Sequence, residues 1–206
     1  MKSRNEDREE VELLLKHVGS FHEHDLDLPT RTIFMGSVTV DADGMEGGVD
    51  AKMAERFLKN IHLLERLSPN SPVRVLMDNL GGDEYHGLAI FDAIKLSPCE
   101  VTIVVRGYAM SMGSILLQAA DRRVMGPRAT QMVHYGTWGG NGHAKTMQRW
   151  ARECERLDEW MEELYLERIR EKKPRFSLEA LRGLLDHDTF FTAVQSVELG
   201  LADVVG

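Results

Sequence analysis

Between Val101 and Ala120 the chain changes its hydrophobic pattern within a few residues, and no other stretch constrains the fold as much. Val101 to Val105 is a continuous apolar run of strand length, and Ile115 to Ala120 is an apolar run that reads as a helix. Gly107-Tyr108-Ala109-Met110-Ser111-Met112-Gly113-Ser114 joins them, so Ser111 falls where a buried strand turns into a helix. The first N–H groups of a helix lack internal partners, and the helix dipole is positive there. An alkoxide or oxyanion forming at Ser111 would meet donors already in place. Gly107, Ala109 and Gly113 are small enough to let a substrate approach the backbone. Serine is also a favoured helix N-cap. Taken alone, the stretch admits two readings of Ser111, a cap or a nucleophile.

The same change from strand to helix recurs along the chain. Thr32 to Val40, with Ile33, Phe34, Met35, Val38 and Val40, is expected to be a strand, and Asp41 to Gly48 a turn-rich loop with three glycines. Asp50 opens a helix with Met53, Phe57, Ile61 and Leu64 on one face, and Ser68-Pro69-Asn70-Ser71-Pro72 ends it. Val73 to Met77 reads as a second buried strand, Asn79-Leu80-Gly81-Gly82 as a tight turn, and Leu88 to Ile94 as a helix stopped by Ser97-Pro98. A short strand around Arg123 to Met125 follows the Ser111 helix. Strands joined by helical crossovers run parallel, with helices covering the sheet faces. Ligands then bind outside the carboxyl ends of the strands. The Gly81-Gly82 turn and the Ser111 turn both lie at those ends and should face one crevice.

Composition narrows the function classes. A chain of 206 residues, 43% hydrophobic, fits one globular domain with its own core. A formal net charge of −8 leaves no basic surplus to neutralise nucleic-acid phosphates. Two cysteines, Cys99 and Cys154, make neither a disulfide framework nor a zinc cluster. Met1 to Glu10 is charged, Val11 to Leu15 is too short for a signal core, and no run approaches the ~18 apolar residues of a membrane span. A cytoplasmic, soluble protein without cofactor or metal is expected. Val11, Leu14, Leu15 and Val18 fall at helical spacing in a charged, loosely attached arm. His22, His24 and Asp25 read as a solvated loop rather than a metal site.

The second half carries two further chemical groups. Met132-Val133-His134 is apolar up to its histidine. Gly136 to Gly142 holds four glycines but lacks the lysine order of a phosphate loop. A long helix from about Ala144 to Glu171 alternates charges. Trp150, Leu157, Trp160, Met161, Leu164 and Leu166 give it more apolar material than a lone surface helix needs, which points to assembly, although core packing alone could account for it. Lys172-Lys173-Pro174 breaks this helix, and Ser177 caps a short one. Asp186-His187-Asp188-Thr189-Phe190-Phe191 comes next, then a capping-box pattern, Thr192 to Gln195, on a last helix ended by Gly200. Ser111, His134 and Asp188 are the types a hydrolytic triad needs. The serine hydroxyl needs a base, histidine has a suitable pKa, and a carboxylate fixes its tautomer.

The sequence resembles the proteolytic subunit of the Clp protease, the ClpP family, over roughly Thr32 to Val205. Gly107-Tyr108-Ala109-Met110-Ser111-Met112-Gly113 is similar to the family's G-x-A-x-S-M-G nucleophile motif. Met132-Val133-His134 resembles the stretch ending in its histidine, and His187-Asp188-Thr189-Phe190-Phe191-Thr192-Ala193 its R-D-x-F element. Glu198 to Asp203 is similar to the family's Y-G-L-[IV]-D ending, with Leu199 where tyrosine is usual. Asp78-Asn79-Leu80-Gly81-Gly82 resembles its N-S-P-G-G turn, with Leu80 in place of proline. The resemblance implies an α/β fold, a ClpP/crotonase-like spiral of strand–helix units with a long protruding handle helix over residues 144–171. It divides the chain into an N-terminal arm, residues 1–31, and a peptidase domain, residues 32–206.

It also implies a triad of Ser111, His134 and Asp188, with backbone oxyanion donors at Gly82 and Met112. Asp188 rather than Asp186 matches the family's carboxylate, and burial of Phe190 and Phe191 is expected to place it in a dry site. His187 stands where the family has arginine. The family forms stacked seven-membered rings that work with a AAA+ unfoldase, the partner that uses ATP. Protein or peptide substrates are implied, and neither nucleic acid nor membrane. Residues before Thr32 do not resemble the family's axial loop. A crotonase-type acyl-CoA enzyme would not need serine, histidine and aspartate together. A signal peptide peptidase A-like enzyme would need a lysine where His134 stands. A catalytically silent ring or scaffold subunit would not need the triad.

Overall fold

The longest strand divides the sheet in two. In the computed structural model, which describes residues 12, 18–19, 21–36 and 47–206, this strand is β4 (Val101–Met110). Its first half pairs in parallel with β5 (Arg122–Met125), Thr102 to Val105 standing beside Arg122 to Met125. Its second half pairs in parallel with β6 (Thr130–Val133), Tyr108 to Met110 beside Thr130 to Met132. The switch occurs at an irregularity. Met77 of β3 (Val73–Asn79) faces Val105, but Asn79 faces Ala109, so β4 gains two residues on its neighbour. The Asp78 carboxylate fills the gap by accepting from the backbone N–H groups of Gly107 and Tyr108. Beyond the bulge β4 keeps β3 on one side, at Ala109, and exchanges β5 for β6 on the other, and Ser111 follows its last residue.

The main sheet runs β1 (Leu26–Asp27), β2 (Thr32–Gly36), β3, β4, β5, β8 (Val204–Val205). All its pairings are parallel except β1 with β2. β6, beside the second half of β4, pairs antiparallel with β7 (Thr189–Thr192). Apolar residues of β3 and β4, among them Val75, Ile103 and Val105, have no exposed surface, as expected of parallel strands covered on both faces. The expected strand Thr32 to Val40 is seen as far as Gly36; Val38, Val40 and most of the Asp41 to Gly48 loop lie outside the described residues, as does most of the helix expected before residue 20.

The first two crossover helices each start at a side-chain cap. Asp50 accepts from Met53 N–H at the head of α1 (Ala51–Leu67), and Asp83 from His86 N–H at the head of α2 (Glu84–Lys95). α2 therefore begins a turn before the apolar run from Leu88. α3 (Met112–Ala119) is buried along its whole length. α4 (Ala144–Lys172), 29 residues, is the long helix, about 43 Å by its rise per residue. α5 (Leu178–Leu185) and α6 (Ala193–Leu199) follow, capped by Ser177 and by the Thr192–Gln195 capping box.

The apolar load of α4 is largely used within the chain. Leu157, Met161, Tyr165 and Ile169 are buried, Trp160, Leu164 and Leu166 pack against the core, and Trp160 meets Phe91 edge-on at 5.2 Å. Only Trp150, 49% exposed, stands outside this packing among the six residues that pointed to assembly. Periodicity counts apolar residues along a face but does not say which layer covers them. No helix among the described residues is long and apolar enough to cross a membrane.

Candidate active site

Ser111 occupies a backbone conformation that side chains rarely adopt, φ 50° and ψ −123°, between β4 and α3. Such strain persists only when surrounding structure over-determines it. Here the Ser111 N–H donates to Met132 O at 3.0 Å, and its carbonyl accepts from Ser114 N–H and Ile115 N–H at 2.9 and 3.3 Å. Gly113 is required two residues on, because a Cβ there would stand 2.6 Å from Asn79 O. The Ser111 side chain makes no cap hydrogen bond. Its Oγ lies instead 2.8 Å from Nε2 of His134.

His134 and Asp188 meet by strand register. The β6–β7 ladder runs from Thr130 opposite Thr192 to Val133 opposite Thr189. One further step sets residue 134 opposite residue 188, and His134 Nδ1 stands 2.8 Å from Asp188 Oδ1. The three side chains thus form one continuous chain of hydrogen bonds. Asp186 closes α5 as its C-cap, its N–H donating to Arg182 O. The expectation of a dry carboxylate is corrected. The Asp188 side chain is 58% exposed and Phe190 56% exposed, while Phe191 is half-buried. β7 pairs with β6 alone, so no strand among the described residues pairs with its outer edge. The His134 side chain, at 22%, is the better shielded of the pair.

The glycine turn after β3 abuts the nucleophile. Gly81 (φ 105°) lies so close that a Cβ on it would be 2.6 Å from Ser111 Cβ and 3.0 Å from Met112 N. The Gly81 N–H donates to the buried Asn79 Oδ1 at 2.8 Å, which holds the turn. Val49 pairs with Gly82 as an isolated parallel bridge, its N–H donating to Gly81 O and its carbonyl accepting from Asp83 N–H. In that pattern the N–H of Gly82 itself points away from Val49. Met112 is the first residue of α3, where a backbone N–H has no helical partner. Both residues named as oxyanion donors therefore sit at the Ser111 elbow.

Chemically, an imidazole with one nitrogen on a hydroxyl and the other on a carboxylate can take the hydroxyl proton while the carboxylate stabilises the resulting cation. Among the described residues no group of three or more His, Cys, Asp or Glu side chains converges as metal ligands would.

Several supporting groups were not singled out from sequence. Ser114, one turn beyond Ser111, has its hydroxyl contacted by Gln131 Nε2 at 2.8 Å and Tyr165 Oη at 2.9 Å, all three buried. This joins the helix behind Ser111 to β6, which carries His134, and to α4. Desolvation pushes the Tyr165 phenol up, so its hydroxyl remains a donor. Glu162 of α4 accepts from Tyr135, the residue after His134, and from Arg182 of α5. The Arg182 hydrogen bonds hold Glu162 below the usual carboxylate range against its burial. For Ser114 and Gln131 the only sequence signal is polarity inside an apolar stretch, and for Tyr135, Glu162, Tyr165 and Arg182 there is none.

A model of the Clp protease family matches residues 44–206, which include all five site residues. The ATP-dependent Clp protease proteolytic subunit of Deinococcus radiodurans is 28% identical over 180 residues, 86% of this chain and 81% of that protein. Proteolytic subunit 1 of the ATP-dependent Clp protease from Chlamydia abortus is 32% identical over 159 residues, 75% of this chain and 80% of its own, and that from Chlamydia muridarum matches to the same extent. With an α/β architecture, a serine elbow at the expected strand end and this match over most of its length, the chain belongs to the Clp protease family.

Proposed function

We propose that this chain is a serine endopeptidase that cleaves unfolded proteins or peptides inside a ring-shaped chamber. The observation that carries the reading is the hydrogen-bonded chain Ser111 Oγ–His134 Nε2 and His134 Nδ1–Asp188 Oδ1, 2.8 Å at each link. His134 takes the Ser111 proton as Oγ attacks the scissile carbonyl. The Gly82 and Met112 N–H groups hold the tetrahedral oxyanion. His134 then returns the proton to the leaving amine, and water repeats the sequence to release the acyl group. Asp188 keeps the imidazole in the tautomer with Nδ1–H and stabilises the imidazolium.

Residues 32–206 form the peptidase domain and residues 1–31 an arm. The working form is a ring of this chain, stacked in pairs of heptamers, fed in the cytoplasm by a AAA+ unfoldase that uses the ATP; this chain needs no cofactor. Its relatives' description as ATP-dependent proteolytic subunits supports that arrangement. The test combines labelling by a fluorophosphonate probe, hydrolysis of a fluorogenic peptide and the native mass. The reading expects a labelled Ser111, peptide turnover and a multi-subunit particle. An unlabelled protein would point to a silent subunit or to acyl-CoA chemistry, and an active 23.3 kDa monomer would remove the ring.

A further inference from the structure

The His134–Asp188 pair stands at an unfinished end. The ladder that brings the two strands together stops at Val133 and Thr189, one residue short of the pair. Strands of four residues each, paired at the sheet's rim, fray at their ends. A second attachment closes the pair from the other side. The Tyr135 N–H donates to Leu185 O at 2.8 Å, joining the residue after His134 to the last residue of α5. The Tyr135 hydroxyl donates to Glu162 Oε1. Arg182, on α5, donates from Nε to Glu162 Oε1 at 2.8 Å and from Nη2 to Oε2 at 2.9 Å. Asp188 follows three residues after Leu185. A single carboxylate on α4 therefore grips both chain segments that present the pair.

We propose that Glu162 is a positioning residue for the peptidase reaction: its carboxylate ties the segment after His134 to the helix before Asp188, and so holds the imidazole and the catalytic carboxylate at hydrogen-bonding distance. The inference rests on the peptidase reading. Glu162 is 6% exposed, and a carboxylate so buried is kept only where it is fully paired. Its charge state suits the role. Arg182 holds it ionised, and burial together with Glu162 pushes the Tyr135 phenol up, so that Tyr135 stays a donor. Asp158, on the same helix, is the other carboxylate that feels this cluster. A planar guanidinium fork fixes the carboxylate plane, which a lone hydroxyl contact does not.

A positioning role differs from a merely structural one in what it does to His134. Loosening the pair misplaces the base while leaving the substrate-binding surface as it was, so the loss falls on kcat and not on KM. The experiment uses the full chain in its native assembly. Wild type is labelled first with the fluorophosphonate probe, and every preparation is normalised to labelled sites. Glu162→Gln keeps shape and removes charge; Tyr135→Phe removes one hydroxyl and is expected to fold whatever happens to the first variant. For Glu162→Gln we expect kcat on a fluorogenic peptide to fall about 10- to 100-fold, the scale of a misplaced catalytic group. KM should stay within about twofold. Tyr135→Phe should lower kcat by less, again at nearly constant KM. Variants whose labelled sites keep the wild-type kcat would overturn the inference while the peptidase reading stands, as would a loss that falls on KM instead of kcat. So would a loss of activity that merely tracks the assembled fraction. An unlabelled wild type would overturn the peptidase reading, and this inference with it.

Discussion

Ser111 is reached through the centre of the sheet, and Asp188 through its last strand. The first stands at the end of ten-residue β4, flanked by the main sheet and by α3, whose residues are all buried. Its N–H, its carbonyl and the glycine turn against it are held by groups of the interior, Met132 O, Ser114 N–H and Asn79. The second stands at the end of a four-residue strand with one neighbour, more than half exposed. A site can thus take its nucleophile from the core, where packing tolerates little displacement, and its carboxylate from a rim, where small forces decide the geometry.

The largest effect expected belongs to the core half. Ser111→Ala should abolish probe labelling and lower peptide turnover by about 10⁶-fold, the cost of losing a triad nucleophile, with the fold intact by circular dichroism. Labelling that persists in this variant would move the nucleophile elsewhere and end the comparison. Asp188→Asn should cost about 10⁴-fold, because the amide favours the wrong imidazole tautomer, while Asp186→Asn should cost little because Asp186 only ends α5. The two variants are compared on one fluorogenic peptide at equal assembly. A dead Asp186→Asn beside an active Asp188→Asn would mean that the rim register drawn here is not the working one.

The two halves also differed in how well they could be read from sequence. The strand, the elbow and the helix around Ser111 follow from local pattern, since an apolar run, small residues and a second apolar run leave few alternatives. The long helix was expected over Ala144 to Glu171 and spans Ala144 to Lys172, because Lys172-Lys173-Pro174 marks its end. Asp188 is placed by motif, and the structure brings it to His134, but the second argument for it, burial beside the phenylalanines, does not hold. Phe190 and Phe191 promise burial by composition, whereas a strand's exposure depends on what lies beside it, and β7 has an open side. For the same reason Leu157 and Met161 suggested subunit contacts and turned out to face this chain's own core. Glu162 and Tyr165 gave no sign, since a polar residue in a charged helix looks like any other until its neighbours are known.

A smaller effect probes the contact between the glycine turn and the elbow. Gly81→Ala places a Cβ 2.6 Å from Ser111 Cβ, in a backbone conformation that alanine avoids. Either the turn or the elbow must yield, and both carry a proposed oxyanion donor. We expect turnover to fall about 10²- to 10³-fold, the loss typical of one oxyanion donor, with Ser111 still labelled slowly. If turnover and labelling stayed at wild-type rates, the core half would be less tightly fixed than the rim, reversing the comparison.

The smallest effect concerns stability away from both ends of the triad, where α2 meets the long helix. Glu84, in the first turn of α2, has its carboxyl raised to about 7 from an ordinary 4.5. Burial is the main cause, reinforced by Asp158, Asp83 and Glu153 and opposed by Arg156. The folded chain thus binds the Glu84 proton more tightly than the unfolded chain does. The stability linked to that proton is complete below about pH 4.5 and is lost as pH rises through about 7, leaving a half-buried charge among like charges. Glu84→Gln imitates the protonated form at every pH. With allowance for solvent screening of a half-exposed group, it should stabilise the protein by about 1 kcal/mol at pH 8 and by almost nothing near pH 4.5. For a chain of this length that is a rise in Tm of about 2–4 °C at pH 8, measurable by calorimetry at both pH values. Because the Ser111 elbow is held by separate contacts, labelling per site should not change. A Tm gain that was equal at the two pH values would make the effect one of packing, and a changed labelling rate would tie the α2 joint to the nucleophile after all.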